Sequence, residues 1–169
     1  MPECDPAGGD AARRALEMIL GEDAMRASVD CYVARRPGCE LVRSVLWLLR
    51  PWSVAAYCRE IAKSPNDIET RRTAVELLRV VADRRALPWV AEFLDDPDAG
   101  VQGWGIGVLD QLLWSVLIEP EEAEEILGRA ERHENEAVRE RAAFIRSFLR
   151  DRAEGDDHEG AVEGRDVSS

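Results

Sequence analysis

RRALPWVAEFLDDPDAGVQGWGIGVLDQLL, residues 84–113, decides how the rest of the chain reads. Leu87, Val90, Phe93 and Leu94 recur at three-and-four spacing, the period of one buried helix face. Pro88 falls in the first turn of that helix, where a missing N–H costs little. DDPDAG forms a turn, and Val101, Gly105, Val108 and Leu112 resume the helical period beyond it. The stretch is one helix, a tight acidic turn, and a second helix.

The same plan recurs on both sides. Val42-Arg43, Thr70-Arg71, Val101-Gln102 and Val138-Arg139 align as openings of second helices. Four residues after the first member stand Leu46, Ala74, Gly105 and Ala142; seven after it stand Leu49, Leu77, Val108 and Ile145. The copies lie 28, 31 and 37 residues apart. Ala12-Arg13, followed by Leu16 and Ile19, reads as a worn fifth copy. Helix pairs held in such a register bury a continuous core only by stacking on their neighbours.

Breaks at Gly21, Pro37-Gly38, Pro51, SPND (64–67), Asp83-Arg84, DDPDAG, Pro120 and Asn135 divide the chain into nine helices. No segment alternates with period two, so no strand is expected. The fold class that follows is all-α: a right-handed α-solenoid (α-α superhelix) of stacked antiparallel helix pairs spanning residues 10–151. Residues 1–9, with two prolines and two glycines, read as a disordered N-terminus, and residues 152–169 as an acidic disordered tail.

The segment ALPWVAEFL-DDPDAGVQGWGIGVLDQL resembles the HEAT-like repeats of the phycobilisome-lyase type. In that family an Ala-Leu-Pro opening, an Asp-Pro-Asp turn, a Val-Arg dipeptide and a small residue follow one another. Here they are matched by Ala86-Leu87-Pro88, Asp96-Pro97-Asp98, Val101-Gln102 and Gly105. Arg71 with Ala74, and Arg139 with Ala142, keep the dipeptide and small residue elsewhere. Gln102 departs from the usual arginine, and the turns SPND and HENE lack the full acidic-proline pattern. The resemblance covers roughly residues 38–150. It implies an extended concave surface that grips another macromolecule, in a family that includes lyase subunits, scaffolds and enzyme-regulatory subunits.

Composition narrows the function. The chain has 169 residues and a formal charge of −12, with Lys63 its single lysine against 21 arginines. The first ten residues carry three acids and no base, and residues 152–169 six acids and two arginines, so more than half of the net charge is terminal. Nucleic-acid binding, which needs a basic footprint, is disfavoured. Only the five arginines of residues 71–85 speak for it. The apolar runs VLWLL and LLWSVLI are too short to span a membrane, and MPECDPAGGD has no signal-peptide pattern. Cys4, Cys31, Cys39 and Cys58 form no CxxC pair, which fits a reduced cytoplasmic protein.

Candidate chemistry is sparse. His133 closes a helix, where an imidazolium interacts favourably with the dipole, and His158 lies in the acidic tail, where it could hold a metal ion only weakly. Gly103-Trp-Gly-Ile-Gly107 has the spacing of a phosphate loop but no strand before it. The glutamates of Glu119–Glu125 suit a solvated helix start. No catalytic residue, cofactor or metal ligand is assigned.

An interaction surface is the stronger expectation. With Val101, Gly105, Val108 and Leu112 buried, 100° per residue places Gly103, Gly107, Asp110 and Trp114 on the opposite side, with Trp104 at its border. In register, Arg72, Glu76 and Arg79 precede them, and Glu140 and Phe144 follow. These ten residues form the expected protein-binding ridge, rich in the aromatic and arginine side chains that anchor interfaces. The expected function is a non-enzymatic repeat module, an adaptor or a toxin-neutralising immunity-type protein, whose partner is another protein with a basic surface. The alternatives are an accessory subunit of a lyase-like chromophore-attachment enzyme and, behind it, a nucleic-acid-binding protein.

Overall fold

A computed structural model describes residues 6–65 and 67–163, with side chains for 11–65 and 67–154. Nine α-helices follow in order: α1 Pro6–Leu20, α2 Glu22–Val33, α3 Cys39–Leu49, α4 Trp52–Lys63, α5 Ile68–Val81, α6 Leu87–Leu94, α7 Ala99–Trp114, α8 Pro120–Ala130 and α9 Glu136–Glu163. A 3₁₀ turn, Arg84–Ala86, leads into α6. No strand occurs among the described residues.

Helix boundaries follow from local chemistry. Asp67 accepts the Thr70 N–H at 3.0 Å and starts α5; Asp98 accepts the N–H groups of Gly100 and Val101 and starts α7. The Glu119 N–H donates to Glu122 Oε2 at 2.9 Å at the head of α8, whose first residue is Pro120. Asn135 Oδ1 accepts the Ala137 N–H and caps α9.

The terminal segments differ from the sequence expectation. Helix α1 begins at Pro6, inside the segment read as disordered, and α9 runs on through residues 152–163. Gly155 and Gly160 each weaken that extension by about 1 kcal/mol relative to alanine, but no proline interrupts it. The reading of residues 1–5 and 164–169 as disordered, together with Cys4 and the side chain of His158, lies outside the described residues.

The helices pack on their chain neighbours and also across them, α2 on both α4 and α5. Helix α2 contacts α3, α4 contacts α5, α6 contacts α7, and α8 contacts α9. The second members also contact one another in sequence, α3 with α5, α5 with α7 and α7 with α9. One hydrophobic core runs from Met25 and Val29 through Leu77, Leu78, Val90 and Leu112 to Leu127 and Ile145.

Three of the four register positions, at Arg71, Gln102 and Arg139, do the same local work. Arg71 Nε donates to the Ala62 carbonyl at 2.7 Å, Gln102 Nε2 to the Asp96 carbonyl at 2.7 Å, and Arg139 to the carbonyls of His133 and Glu134 at 2.7 Å each. In each case the second helix satisfies carbonyls at or just beyond the end of the first helix of its own pair. Gln102 therefore replaces arginine without losing the contact. Gly105 fills the small-residue slot for a steric reason: a Cβ there would lie 2.4 Å from Phe93 Cβ.

Helix α1 does not behave as a fifth copy. Ala12, Leu16 and Ile19, the residues that should be buried, are exposed, Ile19 by 77%. Instead Glu17 accepts the Ser53 N–H at 3.2 Å, tying α1 to the start of α4.

Candidate interaction surface

The Asp-Pro-Asp turn sits at the centre of the molecule's ion pairing. Arg71 pairs with Asp96, and Arg72 makes a two-point contact with Asp98, Nε to Oδ1 at 2.8 Å and a terminal nitrogen to Oδ2 at 2.7 Å. Two adjacent arginines of α5 thereby hold both aspartates of the turn that begins α7. The Arg72 hydrogen bonds hold the Asp98 carboxyl down to about 2, helped by the N–H groups of Val101 and Gly100.

The ten expected ridge residues divide into two groups. Arg72 is committed to Asp98 and Glu69. Glu76 accepts the Tyr32 hydroxyl at 3.1 Å; burial first, then Glu76, pushes the Tyr32 pKa up to about 12, so the phenol remains a donor. Gly107 is buried beneath Arg79, whose Cδ would lie 3.1 Å from a Cβ there. Asp110 is only 8% exposed and accepts from Arg141 at 3.1 Å. Gly107 and Asp110 therefore do not line an open face. Helices α5 and α9 flank α7 on both sides and cover positions that a helical wheel of α7 alone turns outward.

The second group reaches solvent. Trp114 is 60% exposed and leans on Phe148 at 4.9 Å between ring centroids. Phe144 is 51% exposed beneath the Arg141 guanidinium, and Glu140 is exposed. Arg79 lies 5.8 Å over the half-buried Trp104, and its buried Nε has no hydrogen-bond partner among the described residues. Gly103 has open space where a side chain would project.

Larger apolar exposure occurs elsewhere. Among the described residues, eight of the twelve exposed large hydrophobic side chains belong to α1 and α3. Leu41, Val45 and Leu48 form a stripe along α3 at spacings of four and three, with Leu41 70% exposed. Trp47 is exposed beside the stripe. In the repeat register these positions correspond to Gly100, Trp104 and Gly107 of α7, and to Ala137, Arg141 and Phe144 of α9.

In α7 that flank receives the preceding second helix, with Arg72 over Gly100 and Arg79 over Gly107 and Trp104. In α9 it receives Asp110 on Arg141. In α3 the same flank is open and apolar, because α1, though it touches α3, leaves the stripe exposed. A signal for it stood in the sequence. VRSVLWLL carries apolar residues on more faces than one core contact can bury, and a helix that is apolar around much of its girth is normally covered.

His133 Nδ1 accepts the Asn135 N–H at 3.1 Å and Nε2 meets the Leu94 carbonyl at 2.9 Å, so the ring bridges the α8–α9 turn to the end of α6. With Nδ1 accepting, Nε2 is the ring nitrogen that donates to the Leu94 carbonyl. Among the described residues, no three His, Cys, Asp or Glu side chains gather as a metal site. Cys31, Cys39 and Cys58 are free thiols, and burial pushes the Cys58 thiol up. No helix among the described residues is long and apolar enough to cross a membrane. No family model, curated protein or solved structure matches the chain.

Proposed function

We propose that the chain is a non-enzymatic helical-repeat module of the HEAT-like, right-handed solenoid kind that captures a partner protein through the open flank of α3. The observation that carries this reading is the Leu41–Val45–Leu48 stripe, apolar and exposed at positions where the later second helices receive a neighbour. The occupant is an amphipathic helix of another protein. Its shape is set by the register, since the equivalent flanks of α7 and α9 each pack against a helix. Its chemistry is set by the stripe: a leucine–valine–leucine seam at four-three spacing pairs with a like apolar seam.

Residues 1–5 and 164–169, MPECD and GRDVSS, hold too few apolar side chains to make such a seam. Contiguous apolar exposure on this scale is characteristic of interaction sites. The acidic balance of the chain favours a partner with a basic surface around its apolar seam, and an adaptor or immunity-type role in the bacterial cytoplasm fits such capture.

A second surface rests on Trp114, Phe144 and Gly103, exposed side chains and open space on α7 and α9. Paired variants separate the two. Leu41→Glu/Leu48→Glu is expected to abolish recovery of the partner from source cells with circular dichroism unchanged, whereas Trp114→Ala retains it. Recovery lost only with Trp114→Ala would transfer the site to α7 and α9.

A further inference from the structure

A cavity of about 260 Å³ opens between α1, the end of α3, the start of α4 and the connection between α5 and α6. Its walls carry five arginines, Arg13, Arg14, Arg50, Arg84 and Arg85, against two carboxylates, Glu17 and Asp83. The local charge is positive on a chain whose formal charge is −12.

The carboxylates are already engaged. Asp83 holds Arg85 by two contacts, at 2.8 Å and 2.7 Å, and Glu17 accepts the Ser53 N–H and hydroxyl. Arg84 turns away to Glu122 at 2.7 Å. Arg14 and Arg50 have no carboxylate within reach among the described residues.

Arg50 is the residue around which the cavity is arranged. It ends α3 in the left-handed conformation, φ 44° and ψ 52°, a backbone state unfavourable for a non-glycine residue. Burial, and then the nearby charge of Arg13, lowers its pKa, the direction expected for a guanidinium held without a counter-ion. Arg85 is fixed flat over the Trp52 ring at 4.0 Å, and Trp52 stacks on Trp89 at 5.0 Å, so this wall is rigid. Like charges gathered at one cavity repel unless an anion lies between them.

We propose that this cavity binds a phosphate monoester of a small organic molecule. Arg14 and Arg50 each present a guanidinium fork with no carboxylate partner among the described residues, and that fork matches phosphoryl oxygens. Leu49, Trp52 and Leu117 supply an apolar wall for the organic portion. The site is separate from the α3 stripe and does not depend on the partner-binding reading.

Calorimetric titration of the full chain in 150 mM NaCl tests the site with three probes: phenyl phosphate, inorganic phosphate and benzoate. Phenyl phosphate is expected to bind most tightly, inorganic phosphate less so, and benzoate least. Arg50→Gln and Arg14→Gln are each expected to weaken phenyl phosphate by about tenfold or more, the loss of one charge-assisted hydrogen bond. Arg132→Gln, in the exposed turn after α8, leaves it unchanged. If Arg50→Gln fails to fold, Arg14→Gln on the exposed face of α1 decides. Absence of phenyl phosphate binding, equal binding of benzoate, or affinity unmoved in both arginine variants overturns the proposal.

Discussion

Helices α3 and α7 hold matching places in the sequence register and meet opposite fates. Helix α7 is flanked by α5 on one side and α9 on the other, and its flank positions are small or aromatic: Gly100 and Gly107 admit the stems of Arg72 and Arg79, and Trp104 lies under the Arg79 guanidinium. Helix α3 meets one second helix, α5, and its matching positions are Leu41, Val45 and Leu48, all exposed although α1 touches α3. Between α5 and α7, and between α7 and α9, an arginine–aspartate pair accompanies small or aromatic residues at the flank. The apolar version of the same flank is left facing outward. A flank that had only to be soluble would not carry that stripe.

Substitutions on the two helices and their neighbours put this contrast under load. The largest effect is expected at Leu77, fully buried on α5 between the pairs. Leu77→Ala should cost about 2–5 kcal/mol in chemical denaturation, against less than about 0.5 kcal/mol for Leu48→Ala on α3. Comparable losses at both sites would mean that Leu48 is buried in solution and the flank is closed. Next in size is Gly105→Ala, expected to cost about 1–3 kcal/mol because the new Cβ meets the Phe93 side chain at 2.4 Å.

A smaller loss, about 1–2 kcal/mol, is expected for Asp98→Ala, which removes the α7 cap and frees Arg72. This pair also sets a pH dependence. The Asp98 carboxyl titrates near 2 when folded and near 3.8 when free, so its stabilisation is complete above about 3.8 and disappears as pH falls through about 2. Comparing acid unfolding of the wild type and Asp98→Ala should show a steeper decline for the wild type in that window. Parallel curves would remove the Arg72–Asp98 contact from the account. The smallest effect is a gain. Gly103→Ala adds a methyl to open space in mid-helix and should stabilise by up to about 1 kcal/mol, opposite in sign to the same change two residues later.

Those paired glycines also show what sequence could and could not convey. The helix count, the breaks at Gly21, Pro51 and Pro120, and the role of Gly105 were legible because each depends on residues close in the chain or on a repeated register. The burial of Gly107 and Asp110 was not, since it is produced by Arg79 and Arg141 arriving from other helices. Helix α1 matched the register in its residues and departed from it in position, because Glu17 ties it to α4. The arginine cavity joins segments as far apart as Arg13 and Arg85, and no spacing rule on one helix finds it.

The central claim is that the α3 stripe receives a helix from another protein. A photo-crosslinking amino acid placed at Leu48 in source cells, with a control at Arg132, reads that contact directly by mass spectrometry of the joined peptides. The expected result is that Leu48 crosslinks converge on one apolar helical segment of a single other protein, while Arg132 gives no such focus. Crosslinks from Leu48 that map only to this chain's own residues, or none at all while Trp114 crosslinks a partner, would contradict it.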